Sequence, residues 1–145
     1  MSDLENQNQE QEEVNEVYQA IIDVSNAILD GESSRENQAI MLKSLREKIT
    51  KKPVVLNDAF TVVLDTARDV INDTVADSSR SDLALLKEAN EIIKLVAKKG
   101  SEEHVNYAAD VAFDCLESTT SSKRHQLEML KTINYITDKN PEISE

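Results

Sequence analysis

Residues 81–100, SDLALLKEANEIIKLVAKKG, decide how the rest of the chain is read. Leu83, Leu86, Ala89, Ile93 and Val96 recur at three- and four-residue intervals, which puts one apolar stripe on one side of an α-helix and none on an alternating strand. Ser81 stands where a helix N-cap is wanted, and Gly100 where the chain must stop.

The same signature repeats on either side. A first helix runs from about Val14 to Asp30 with Val17, Ile21, Val24 and Ile28 inward, before Gly31. The second opens on the capping box Ser33-x-x-Glu36 and carries Ile40, Leu42, Leu45 and Ile49 to a stop before Pro53. The third, capped near Asn57, runs through Phe60, Val63, Ala67, Val70 and Thr74. Ser101 caps the fifth, with Val105, Ala108, Ala112 and Cys115 inward. Ser121 or Ser122 caps the sixth, with Leu127, Leu130, Ile133 and Ile136 inward before Asn140-Pro141. The expected fold is all-α: six helices as three antiparallel helical hairpins, in a compact bundle or a short α-solenoid, forming a single helical domain over 14–140. Residues 1–13 are Glu, Gln and Asn with one leucine, and are expected as a disordered acidic N-terminal tail. Residues 141–145 are read as a C-terminal tail.

A longer period runs through the hairpins. Met41-Leu42-Lys43, Leu85-Leu86-Lys87 and Met129-Leu130-Lys131 are 44 residues apart, as are Ser34, Ser78 and Ser122. That is the length of a two-helix solenoid unit, although Ser caps and Leu-Lys pairs are common in any helical protein. Val54-Val55-Leu56, between the first two hairpins, is expected to plug the core. Doubled apolar positions, Ile21-Ile22, Val70-Ile71, Leu85-Leu86 and Ile92-Ile93, widen the stripes beyond what one neighbour covers, which points to central helices or to a homo-oligomer.

Composition narrows the class. Two glycines, two prolines and no tryptophan leave little for turns and strands, and no apolar run approaches the ~20 residues of a membrane span. The start Met1-Ser2-Asp3-Leu4-Glu5 has no secretory or transit signal, and the single Cys115 has no partner for a disulfide, so the expected compartment is the reducing cytoplasm.

Charge is the most informative feature. The net charge is −12, and its signs are sorted by helix. Up to Ser34 there are nine acids and no base; residues 35–52 hold six bases against two acids; residues 101–118 hold five acids and no base. The acids are themselves striped, with Asp65, Asp69 and Asp73 on one face and Asp110, Asp114 and Glu117 on another. These six are the candidate partner-binding residues, for a protein with a basic surface. Arg46, Lys48, Lys51 and Lys52 end the second helix and Lys94, Lys98 and Lys99 the fourth, a candidate basic rim if the hairpins stack in parallel order. The plainer reading of such lysines is that they complement helix dipoles.

No catalytic, cofactor or metal set is expected. His125-x-x-Glu128 shares a face but lacks a second pair of ligands. The Asp65-Asp69-Asp73 ladder suits Mg²⁺ chemistry, yet Glu13-x-x-Glu16 and Glu88-x-x-Glu91 have no ExxD companion, and there is no glycine-rich phosphate loop. The expected function is a non-enzymatic protein-binding adaptor, regulator or assembly subunit. The alternatives are a nucleic-acid-linked role, through the basic rim of an oligomer or as an acidic mimic, and a Mg²⁺-dependent all-α phosphohydrolase.

Overall fold

A computed structural model describes residues 2–30, 34–74, 80–119 and 123–139. It contains α1 (Ser2–Leu29), α2 (Arg35–Lys51), a single 3-10 turn (Pro53–Val55), α3 (Leu56–Thr74), α4 (Arg80–Lys99), α5 (Glu102–Ser118) and α6 (Lys123–Lys139). Among the described residues there is no strand, and no helix is long and apolar enough to cross a membrane.

Hydrogen bonds and ion pairs give the directions. Gln38 Nε2 donates to the Ile28 carbonyl at 2.9 Å near the α1–α2 connection, while Lys52 Nζ meets Glu13 Oε2 at 2.9 Å at the far end, so α1 and α2 are antiparallel. In contrast, α3 and α5 are parallel: Asp65 pairs with Tyr107, Arg68 with Asp114, and Asn72 with Ser118, advancing together along both helices. The packing follows as two layers. One is α1–α3–α5 and the other α2–α4–α6, each hairpin contributing one helix to each, with the α3/α4 hairpin between the outer two. The short connections place consecutive helices side by side, and stacking of the three hairpins buries what one hairpin alone leaves open.

Three of the four doubled apolar positions are explained by this stack, while on the outer helix α1 Ile21 is buried and Ile22 only partly so. In α3, Val70 and Ile71 are both buried, and in α4 so are Leu85, Leu86, Ile92 and Ile93, because each of these helices has neighbours on both sides within its layer. The outer even helices each bury half of that stripe. In α2 the buried positions are Gln38, Leu42, Leu45 and Ile49; in α6 they are His125, Met129, Thr132, Ile133 and Ile136. Shifted by two 44-residue periods, the α2 row falls one residue after the main α6 row, a rotation of ~100° that turns the two toward α4 from opposite sides. Helix α4 buries residues of both rows, Leu85 and Ile92 of one and Leu86, Ala89 and Ile93 of the other.

Several expectations are corrected. Leu127 and Leu130 of α6 are not inward but 54% and 42% exposed, and Ile40 of α2 is 66% exposed, since an edge helix has no further even helix to cover its outer face. Of the Val54-Val55-Leu56 plug, Val55 and Leu56 are fully buried and Val54 faces solvent. Helix α2 is capped by Ser34, whose Oγ accepts from the Asn37 amide at 3.2 Å, rather than by Ser33. Helix α3 begins at Leu56, one residue before its expected cap Asn57, because the 3-10 turn after Pro53 feeds directly into it. The disordered tail expected over 1–13 is not confirmed, since the described backbone is helical from Ser2. Glu and Gln propagate a helix well once it is nucleated, and Val14, Val17 and Tyr18 anchor the adjoining turns on the core. Gly31, Ser33, Ser78, Ser121, Ser122 and residues 140–145 lie outside the described residues.

The α4–α5 junction is the tightest connection. The Ser101 amide donates to Nδ1 of buried His104 at 2.9 Å, and the His104 ring packs at a 43° tilt against Phe60 of α3, 4.2 Å between centroids. A Cβ on Gly100 would lie 2.4 Å from the His104 Cβ and 2.6 Å from the Val96 carbonyl oxygen, so no side chain fits without moving the cap. Gly100→Ala is therefore expected to cost about 1–3 kcal/mol of stability, measured by urea unfolding, whereas the loss at an open glycine would be near zero.

Candidate functional site

The two layers carry opposite charge. Helices α1, α3 and α5 hold sixteen acids and one base, while α2, α4 and α6 hold fourteen bases and seven acids. Because the helices are sorted by layer, the alternation along the chain becomes a separation in space.

On the odd layer, the structure brings both acidic rows onto neighbouring parallel helices. Arg68, the single base there, lies between them, 3.1 Å from Asp65 Oδ1 and 3.8 Å from Asp114 Oδ2. Asp65 also accepts a short hydrogen bond from the Tyr107 hydroxyl. That bond, with burial, raises the Tyr107 pKa above its ordinary 10.0. Partial burial works against the charge on Arg68, but Tyr107, Asp65, Asp69 and Asp114 outweigh it and hold its pKa above the ordinary value. Asp65 and Asp114 are thus partly neutralised within the fold. Asp69, Asp73, Asp110 and Glu117 are exposed and make no ion pair among the described residues. They leave an acidic strip along the α3–α5 seam in which Arg68 is the single base.

On the even layer, an open groove with a volume of about 850 Å³ lies between the C-terminal halves of α2 and α4 and beside α6. It gathers Arg46, Lys51, Lys94, Lys98 and Lys99 of the expected basic rim and adds Lys43, against two carboxylates, Glu47 and Glu91. Thr50, Leu95 and Tyr135 complete the lining. Lys94 Nζ and Lys139 Nζ each stand 5.9 Å from the Tyr135 ring centre, at the outer reach of a cation–π contact. Arg46 is held by Glu88 at 3.2 Å and Lys94 by Glu91 at 4.0 Å, whereas Lys43, Lys51, Lys98 and Lys99 have no carboxylate within ion-pair distance among the described residues. Lys48 does not line the groove, and Lys52 is turned toward Glu13 of α1. Lys43 and Tyr135 were not anticipated as site residues. Lys43 belongs to the 44-residue recurrence, which was a usable signal; Tyr135 stands alone in its sequence surroundings and offered none.

The remaining candidates do not converge. His125 is buried, and Glu128 reaches Lys131 at 3.4 Å. Glu13 and Glu88 are each engaged by a cation, and Asp65 by Arg68 and Tyr107. Among the described residues, no three His, Cys, Asp or Glu side chains form a group that could hold a metal ion. Cys115 is fully buried, and burial pushes its thiol pKa up to about 12, so at neutral pH it is a thiol and a poor nucleophile. The chain matches no protein-family model, no curated protein and no solved structure, which leaves the acidic strip and the basic groove as the features from which its function is to be read.

Proposed function

We propose that this chain is a non-enzymatic protein-binding adaptor or assembly subunit that meets a basic partner surface with the α3–α5 acidic strip. The carrying observation is that Asp69, Asp73, Asp110 and Glu117 are solvent-facing and unpaired on two parallel helices, on a layer with sixteen acids and one base. Like charges held together at a surface cost the fold stability through mutual repulsion, and they speed encounter with a partner of opposite sign. A nucleic-acid-linked role is the second reading, favoured by the convergence of five rim residues on one groove. The groove's own Glu47 and Glu91 and the net charge of −12 weigh against it.

The test is affinity capture from the native cell on the immobilised chain, at about 0.05 M and about 0.5 M NaCl. Wild type should retain a defined set of basic proteins at low salt and release it at high salt. Asp69→Lys/Asp110→Lys/Glu117→Lys should fail to retain that set while unfolding at a similar urea concentration. Retention of the same proteins by the variant, or capture indifferent to salt, would overturn the reading.

A further inference from the structure

We infer that the groove on the even layer is a docking site for an acidic segment of another protein, one that carries carboxylates together with an apolar or aromatic residue. The site lies on the opposite layer from the acidic strip and does not depend on it.

Three observations carry this. The first is the arrangement of charge. Lys43 and Lys51 stand on α2 and Lys98 and Lys99 on the central helix α4, all without an internal carboxylate partner among the described residues, and Leu95 of α4 and Tyr135 of α6 share the lining with them. Cations on two helices with an aliphatic and an aromatic residue in the same lining match a ligand that carries both negative charge and an apolar side chain. A uniformly charged strand would leave Leu95 and Tyr135 unused.

The second is the pair of acids inside the groove. Glu47 and Glu91 break the positive field into separate patches. A nucleic-acid backbone presents a charge at every step and would meet both carboxylates, whereas a protein segment can place a neutral or basic residue against them.

The third is scale. Along α2 the lining runs from Lys43 to Lys51 and along α4 from Glu91 to Lys99, eight residue steps each, or about 12 Å of helix. That accommodates about two turns of a helix or about four extended residues. With a net charge of −12 on the whole chain, a long polyanion would run out past the groove into repulsion, while a short segment stays within about one Debye length, ~8 Å, of the lysines.

The test uses the full chain and fluorescence anisotropy with two labelled probes at low salt: a short polyglutamate peptide with a central phenylalanine, and a single-stranded oligothymidylate. The peptide is expected to bind, and Lys51→Glu/Lys98→Glu/Lys99→Glu to weaken it by about tenfold or more, since each exposed pair contributes a few-fold and a reversal adds repulsion. Tyr135→Ala should weaken the same peptide but not one in which alanine replaces the phenylalanine. Lys123→Glu/Lys131→Glu, on exposed positions of α6 outside the groove, should leave peptide binding unchanged. All substituted lysines are solvent-exposed, so unfolding midpoints should stay close to wild type. No peptide binding, tighter binding of the oligothymidylate, or equal losses from the groove and control variants would each overturn the assignment. Failure of the acidic strip to capture a basic partner would not affect it.

Discussion

Leu86→Ala is expected to destabilise the protein by about 3 kcal/mol, and Leu130→Ala, at the corresponding position of the next hairpin, by less than about 1 kcal/mol. Both leucines sit in the same Leu-Lys step of the 44-residue recurrence. Leu86 is fully buried in α4, which is packed by α2, α3, α5 and α6, so truncation removes three carbons from a site enclosed on all sides and leaves a cavity. Leu130 is 42% exposed on the outer side of α6, where water already covers much of the removed surface. Leu42, buried in the edge helix α2, should fall between them at about 2 kcal/mol, because an edge site relaxes more easily. Urea unfolding of the three alanine variants measures the order. Equal losses at positions 86 and 130 would mean that the stack has no distinct centre and edge.

The second large effect is alkaline. In the unfolded chain Cys115 ionises near its ordinary 9.0, whereas in the fold burial holds the thiol protonated up to about 12. Between those values the unfolded state has shed a proton that the folded state keeps. Stability is therefore fully present below pH 9 and falls as pH rises, by up to about 1.4 kcal/mol per unit and about 4 kcal/mol over the whole window. Tyr107, raised above 10.0 by its bond to Asp65 and by burial, adds a smaller loss of the same sign at the upper end. Unfolding midpoints followed from about pH 8 to about pH 10.5 should decline in wild type and decline less in Cys115→Ala, even though that variant starts lower through its cavity. Parallel declines in the two proteins would show that the thiol is ionised in the native state, or that it is not enclosed as described.

Much of the local structure was legible because helix signals are local. Ser101 before Glu102, Gly100 after Lys99 and the three-and-four spacing of Leu86, Ala89, Ile93 and Val96 each act within one or two turns. The charge sorting by helix was equally visible, and the stacking of the hairpins turns it into a separation in space. The misread helix faces share one cause. Met129, Leu130, Thr132 and Ile133 offer two overlapping stripes one residue apart, and local preference does not choose between them. The same holds for Ile40 beside Leu42.

By itself, then, the sequence determined the six helices, their pairing into hairpins, and the assignment of acids to odd helices and bases to even ones, since these follow from intrahelical hydrogen bonding, capping and short connections. Only the tertiary structure decided which half of each stripe is buried. It also decided that Asp65 is tied to Arg68 and Tyr107 while Asp69 is left to solvent, and that Lys43 and Tyr135 join the basic ends of α2 and α4 around one groove. The physical reason is that burial and charge compensation depend on what lies across the layer, some 40 residues away in the chain, and a helix carries no local record of its neighbour.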